Sequence, residues 1–370
     1  MRIMQVVTRL GLGGAERVAE TLACASARRG HQVSFVPIVA SNDRGYGESM
    51  SRNLRGCGVE VIADATSTDP KMAAVQAIGR LASIVERTRP DVVHLHTEIP
   101  EFAWALAGLR ARRIRDVPVV RTIHNTVLWG GWGRLGRLAE GRLAGASVAA
   151  VSLAARQAFL DWRATTGRPE VQVAVIYNGV DLSDLPFEPD EPAEPPVLCY
   201  AGRFESQKGV DVLMDSLALM TSSDPPFRVA MFGAGALGDR VTEQVARSDG
   251  RMTVEPPLGD LRARLGSFDA ILMPSRFEGL PLVALEASCV GVPVLATNAP
   301  GLGEVFPDWY PGRCEPGDAP AFAALIRAFL EDPAAWREQA LRARPWARDR
   351  FSLETMTAAY EHLYSGVVPS

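Results

Sequence analysis

The chain has 370 residues, 47% of them hydrophobic, and carries 39 basic against 43 acidic side chains for a net charge of −4. That length exceeds a single ordinary core and implies two domains, each with enough apolar residues to fill its own interior. No apolar run approaches the ~20 residues that span a bilayer, which excludes a transmembrane reading, and nothing in the charge calls for a nucleic-acid partner. The charge is nonetheless divided unevenly: residues 1–181 hold 23 basic and 16 acidic side chains, residues 182–370 hold 16 and 27. A basic half suits an anionic partner, such as a membrane surface or a lipid-phosphate acceptor, with compositional drift on solvated faces as the plainer explanation. Five scattered cysteines (24, 57, 199, 289 and 314), none at metal-ligand spacing, read as reduced and mostly buried thiols of a cytoplasmic protein. The start, MRIMQVV, reads as a short strand rather than the apolar core of a signal peptide.

Short β-branched runs alternate with helical patterns from end to end, the mark of an α/β fold with parallel sheets. The first strand, 3–7, leads into Leu10-Gly11-Leu12-Gly13-Gly14-Ala15-Glu16-Arg17 and a helix over 15–29 closed by Gly30. Gly13 and Gly14 would let backbone approach a ligand at a helix N-terminus, although Glu16 stands where a dinucleotide fingerprint needs its third glycine. Strands follow at 33–39 and 59–62, then a helix over 70–88 that ends before Pro90. His94 and His96 alternate within DVVHLHT, so both face one side of a strand covering 92–95. With no third ligand in view a metal site is not expected, and one histidine is read as packed, the other as lying near the ligand. His124 follows the strand 118–122 at its carboxyl end, where ligands collect in such sheets. Residues 128–143 set Arg134, Arg137 and Arg142 near Trp129 and Trp132; the pattern favours an internal helix with a basic outer face over an interfacial membrane contact. Strands 147–150 and 173–176 complete the first series, and Tyr177-Asn178-Gly179-Val180-Asp181 reads as a turn or a hinge.

Residues 182–196 are Pro-rich, acidic and aperiodic, as expected of an interdomain linker between a first domain, 1–181, and a second, 197–349. The second series has strands at 197–201, 228–232, 252–254, 269–273 and 293–296, with helices near 318–331, 333–347 and 352–365. After its first strand comes Gly202-Arg203-Phe204-Glu205-Ser206-Gln207-Lys208-Gly209. The chain contains only two lysines, Lys71 and Lys208, so a lysine in a glycine-flanked loop stands out. A compact ammonium suits a diphosphate as a point charge, and Arg203 can fork across two oxygens. Residues 233–238, GAGALG, beginning at Gly233, make a full G-x-G-x-x-G after a strand, with Glu255 near the position of a ribose-binding acid. Finally, FEGLPLVALEASCVGVPVLATNAPGLG at 277–303 places Glu278 and Glu286 eight positions apart, about 12 Å along a helix. Pro281 is expected as first helical residue, with the amides from Leu280 through Leu282 to Val283 offered to a phosphate and Gly279 in the turn before them. Hydroxyl-rich groups flanking a phosphate describe a nucleotide-sugar.

Taken together, these segments resemble the retaining nucleotide-sugar glycosyltransferases of the GT-B fold, in the large family-four group. The matching pieces are GGAERV (13–18), PDVVHLHT (90–97), RTIHNT (121–126), VIYNGVD (175–181), AGRFESQKGVDVL (201–213), GAG (233–235), FDAILMPSRFEGLPLVALEA (268–287) and GVPVLAT (291–297). They cover nearly the whole chain in the expected order, and the E-x7-E pair Glu278 and Glu286 is the most specific of them. The resemblance implies two Rossmann-like domains facing across a cleft, with a closing helix, 350–370, returning to the first. It implies that Arg203 and Lys208 neutralise the donor diphosphate, that Glu286 holds the ribose, and that Glu278 contacts the sugar with help from the amides of Gly279 to Leu282. His124 would sit beside the anomeric centre, and Gly13 and Gly14 near phosphates or acceptor. The leaving phosphate itself would take the acceptor proton, with no metal and no cofactor beyond the donor. Cys289-Val290 replaces the usual Met-Ala, and Gly301-Leu302-Gly303 a Gly-Gly pair, which bears on the sugar pocket.

The expected function is therefore transfer of a sugar from a nucleoside-diphosphate donor to an acceptor hydroxyl. The acceptor is a sugar, a lipid-linked intermediate or a small molecule, in cell-envelope polysaccharide or glycolipid synthesis at the inner face of the plasma membrane. A nucleotide-sugar epimerase, a nicotinamide-dependent oxidoreductase built on GAGALG, and a binding protein without turnover are the alternatives.

Overall fold

The computed structural model describes residues 1–41, 44–257 and 261–368. The chain divides into two compact units: Met1–Gly179 together with the segment from Leu353 onward, and Val180–Ser352. In unit 1 the strands are β1 (Arg2–Val7), β2 (Gln32–Pro37), β3 (Glu60–Val61), β4 (Val92–His96), β5 (Val119–Ile123), β6 (Ser147–Ala150) and β7 (Val173–Val175). They form one parallel sheet in the order β3-β2-β1-β4-β5-β6-β7. Unit 2 repeats the plan with β8 (Val197–Ala201), β9 (Arg228–Phe232), β10 (Met252–Glu255), β11 (Ala270–Met273), β12 (Val294–Thr297) and β13 (Arg313–Cys314), ordered β10-β9-β8-β11-β12-β13. In each sheet the order reverses beside the first strand, between β1 and β4 and between β8 and β11. The loops there diverge to opposite faces and open a crevice at the carboxyl ends. Strands covered on both faces need continuous apolar runs, and β4 and β11 are buried along their whole length.

Each sheet has its own core. Val6, Val36, Leu81, Val93 and Leu95 belong to that of unit 1, and Leu198, Leu213, Met231, Leu272 and Phe322 to that of unit 2. The helix Leu353–Val367 packs in unit 1, where Tyr360 and Tyr364 are 1% and 0% exposed. Its Glu361 accepts from Arg29 and contacts His31 at the end of the first helix.

The acidic Pro-rich segment does not hang free as a linker. It belongs to unit 2 as a strap: Arg337 donates to the carbonyls of Pro189 and Asp190, and Arg344 and Arg348 both reach Phe187 O while stacking over its ring. The chain passes between units at Gly179–Val180 and again at Ser352–Leu353, and the strands on the unit 2 side pair, Val180 N to Phe351 O at 2.8 Å. Strand β13 lies outside the sequence reading because two residues carry no periodicity. The cysteine expectation also needs correction. Cys24 and Cys57 form a disulfide with Cα atoms 5.2 Å apart, because Cys24, inside the helix Gly14–Arg28, lies beside the residue that follows the helix Arg44–Gly56; Cys199, Cys289 and Cys314 are free. Among the described residues no helix is long and apolar enough to cross a membrane.

Candidate active site

Two loops meet at the carboxyl end of the unit 2 sheet. The loop after β8 carries Arg203 and Lys208, and the loop after its neighbour β11 carries Glu278 and Gly279. Lys208 Nζ donates to both oxygens of Glu278, at 2.8 and 2.7 Å, and Ser275 Oγ donates to Oε1 at 2.7 Å. The Glu278 side chain is 5% exposed and that of Lys208 23%, so the carboxylate is sheltered while the ammonium keeps a path to solvent. A second ion pair clamps the two loops. The Arg276 guanidinium forks onto Asp211, 2.7 Å on each side, and also donates to Ser206 O at 2.6 Å. Bidentate geometry fixes orientation as well as distance, so this clamp sets where Lys208 stands against Glu278.

The helix that follows starts at Leu282, one residue later than expected. Pro281 is its cap, with an extended ψ of 122°, and no side chain caps the turn. The amides presented at the helix start are those of Leu282, Val283 and Ala284, since Pro281 has no N–H. Gly279 and Leu280 are buried in the turn before it. Glu286, 7% exposed, lies one turn along and pairs with Arg262 Nε at 3.2 Å. Sequence reading missed Arg262, which sits unmarked among other arginines in LRARLG. Arg203, in contrast, is exposed and bonds within its own loop, to Glu205 and to Gln207 Oε1 at 2.8 Å.

The GAGALG turn follows β9 as expected, but main chain fills the space its glycines leave. A Cβ at Gly233 would fall 2.1 Å from Gly202 O, and one at Gly235 2.6 Å from Phe204 O. Phe204 N donates to Ala234 O at 2.9 Å and Leu237 N to Phe204 O at 2.8 Å. Packing of the β8 and β9 loops against each other therefore accounts for these glycines. This removes both the argument for a nicotinamide cofactor and the sequence reason for Gly233 as a ligand contact.

In unit 1, Gly13 caps the helix Gly14–Arg28. A Cβ at Gly13 would fall 1.9 Å from Glu16 Oε2, whereas Gly14 faces open space. The Glu16 carboxylate thus fills the space into which a side chain at residue 13 would point, which accounts for glycine there. Burial pushes the Glu16 carboxyl above its ordinary range, opposed by hydrogen bonds from the amides of Glu16 and Arg9 and by the Arg9 charge. An acid with a raised folded pKa weakens the fold as pH rises through it. Glu16→Gln is accordingly expected to raise the thermal midpoint by a few degrees at pH 7–8, with the gain vanishing below the ordinary carboxyl value of 4.5. A melting series over pH 4–8 reads this directly, and a variant less stable at pH 8 would contradict it.

His124 leaves the carboxyl end of β5 and joins a buried chain of polar groups. Its Nε2 lies 2.9 Å from His96 Nδ1, His96 Nε2 is 2.7 Å from Gln5 Oε1, and Gln5 Nε2 donates to Tyr364 OH at 3.2 Å. Tyr364 OH meets His94 Nδ1 at 2.8 Å, His94 Nε2 meets Thr122 Oγ1 at 2.6 Å, and Thr122 meets Tyr360 OH at 2.8 Å. One proton arrangement satisfies this orientation of Gln5. Its Oε1 can only accept, so His96 carries its proton on Nε2 and accepts on Nδ1. His124 then donates from Nε2 and keeps Nδ1 as an acceptor. Burial pushes all three imidazoles down, His124 to about 3, so they are neutral at physiological pH. His94 and His96 are 0% and 1% exposed. The expectation that one of them lies near the ligand is therefore corrected: only His124 is partly exposed, and the pair supports it. Among the described residues no cluster of three ligating side chains suits a metal.

Beneath this loop Arg121 is 1% exposed and bonds Glu101 through Nε and Nη2, at 2.9 and 2.7 Å, and Glu140 at 2.8 Å. It is a brace rather than a ligand contact. Thr97, at the end of β4, adopts φ 75° and shares a 2.7 Å hydrogen bond with Thr8 at the end of β1.

Comparison with known proteins fits this geometry. Residues 12–184 match the model described as Glycosyltransferase Family 4, and residues 183–349 that described as Glycosyl transferases group 1. The glycogen synthase of Mycobacterium tuberculosis H37Rv is 31% identical over 382 residues, covering 95% of this chain and 91% of that protein. The chain belongs to this glycosyltransferase family. A D-inositol 3-phosphate glycosyltransferase of Arthrobacter sp. is 28% identical to the transferase, over 94% of this chain and 91% of its own. Among solved structures, Anabaena HepE in complex with UDP-glucose matches with a TM-score of 0.80 at 20% identity, covering 99% of this chain and 100% of that one. Sucrose-phosphate synthase from Thermosynechococcus elongatus gives 0.79 at 20%, over 99% and 98%. The transferase therefore has the GT-B fold, with two parallel-sheet Rossmann-like domains.

Proposed function

We propose that the transferase moves a sugar from a nucleoside-diphosphate donor to an acceptor hydroxyl with retention of anomeric configuration. The observation that carries this reading is the Lys208–Glu278 pair, clamped by Arg276 and Asp211, on the loop that leads to the uncapped helix Leu282–Val290. A departing diphosphate needs charge and donors held where its own charge develops. Lys208 supplies the charge, the amides of Leu282, Val283 and Ala284 supply donors at a helix start, and Arg203 adds an exposed guanidinium. Glu286, backed by Arg262, suits the ribose hydroxyls. Once the diphosphate takes the Lys208 charge, Glu278 is released to accept from a sugar hydroxyl. His124 presents Nδ1 for another.

In the transfer step the bond from C1 to the diphosphate oxygen breaks, with its electron pair going to that oxygen. The acceptor oxygen bonds C1 on the same face, and its proton passes to the departing phosphate. Protein groups balance the leaving charge in this scheme, so it calls for no metal. The basic first half favours an acidic or lipid-phosphate acceptor, as in envelope polysaccharide or glycolipid synthesis beside an anionic membrane.

The test is a thermal-shift panel of UDP-, GDP-, ADP- and dTDP-sugars, followed by product analysis with the best donor. One donor is expected to stabilise the protein, by about 2.7 kcal/mol at a hundredfold excess over Kd, and the product anomer is expected to match the donor. An inverted product would refute retention, and a panel without any binder would refute the donor class.

A further inference from the structure

Unit 1 holds a cavity of about 460 Å³ at the carboxyl ends of β1, β2 and β3, away from the His124 chain. Its size falls within the ~300–1,000 Å³ of small-molecule sites. Leu10, Val39 and Ala40 give it an apolar floor, and one face of the helix Arg44–Gly56 forms its polar wall through Glu48, Ser51, Arg52 and Arg55. These four recur at helical spacing, so their side chains point the same way. Arg52 and Arg55 are the two arginines that line this cavity. Arg2, Arg29, Arg80 and Arg121 each have a carboxylate partner, whereas among the described residues Arg52 and Arg55 have none. Two uncompensated guanidiniums beside an apolar floor are complementary to an anion carried on a sugar ring.

The sheet order sets a length. Neighbouring strands lie ~4.8 Å apart, so the end of β5 is about 10 Å from the end of β1, about 14 Å from that of β2 and about 19 Å from that of β3. We propose that the cavity is an acceptor subsite for the acidic end of a sugar chain, bound as a phosphate or a carboxylate, about 10–19 Å from the hydroxyl that is glycosylated at the end of β5. The inference rests on the transferase reading and specifies its acceptor: an anionic saccharide of at least disaccharide length. The guanidiniums fork onto the anion, Glu48 and Ser51 bond ring hydroxyls, and the floor meets the ring's C–H face.

Isothermal titration of the full chain with maltose, maltose 6′-phosphate and glucuronosyl-glucose tests this. The two acidic disaccharides are expected to bind at least tenfold more tightly than maltose, with the order between them naming the preferred anion. The Arg52→Ala/Arg55→Ala variant, altered at exposed helix positions where alanine is well tolerated, is expected to lose that preference. The Arg52→Lys/Arg55→Lys variant is expected to keep most of it. Equal affinity for all three disaccharides, or a preference that survives in the alanine variant, would overturn the subsite. Nucleotide release from donor sugars by the wild type, assayed separately, addresses the transferase reading: its absence alongside an intact acidic preference would remove the transfer and leave the subsite standing.

Discussion

Lys208→Ala is expected to lower kcat about 10²–10³-fold, equivalent to roughly 3–4 kcal/mol of lost stabilisation of the departing diphosphate. The effect belongs in kcat more than in KM, because the charge to be balanced grows as the bond breaks. Truncation also strips Glu278 of its ammonium partner and leaves a sheltered carboxylate held by Ser275, which on its own costs about 1–3 kcal/mol of stability. The double variant Lys208→Ala/Glu278→Gln separates the two losses. Removing the carboxylate charge should restore much of the thermal midpoint while turnover stays low. Turnover within fivefold of wild type in the single variant would show that the diphosphate is balanced elsewhere, with Arg203 the first alternative.

The second large effect is on folding. Arg121→Ala removes the cation that bonds Glu101 and leaves Glu140 with Arg163 as its ion-pair partner among the described residues, in a place where the guanidinium is 1% exposed. Breaking a buried ion network from one side costs roughly 3–5 kcal/mol, a large share of the ~5–15 kcal/mol that holds a protein together. A drop on the order of 10 °C in the melting of unit 1 follows. The deficit should carry a pH signature. Burial already pushes the Glu101 carboxyl above its ordinary range, with Arg121 as the main opposing influence. Without that cation the folded state holds its proton more tightly than the unfolded one, so the variant recovers as pH falls from 8 to 5. Denaturation curves at both pH values measure this, and a deficit below about 1 kcal/mol would mean that the network braces nothing.

The strands were legible because parallel sheets covered on both faces need β-branched runs, and β8, for example, keeps the expected bounds of 197–201. Lys208 and Glu278 were legible as individuals: one is a rare residue in a glycine-flanked loop, the other half of a spaced acidic pair. That they bond each other across 70 positions was not, because no local pattern reports which loops a sheet order brings together. The same limit hid Arg262 behind Glu286, the pairing of Cys24 with Cys57, and the histidine chain. His94 and His96 read as a pair on one strand and His124 as a separate histidine after another, with nothing local to join them. Gln5, which joins His96 to Tyr364, lies in an apolar strand, and Tyr364 is 359 positions away from it. GAGALG failed in the opposite direction, since its pattern was correct and the chain's own backbone had taken the ligand's place.

The path from His124 through Gln5 to Tyr364 has a bearing on how the protein is made. Unit 1 is discontinuous, and its last helix, Leu353–Val367, follows all of unit 2 in the sequence. A ribosome working at ~5–20 residues per second releases β1 to β7 on the order of 10–40 s before Tyr360 and Tyr364 emerge. Throughout that interval the nascent sheet lacks the Tyr364 hydroxyl that Gln5 Nε2 and His94 Nδ1 bond, and the groove where the helix will dock is uncovered. The first half of this enzyme therefore waits on the second for its own completion, and that delay is the stage of synthesis at which a holdase would matter most.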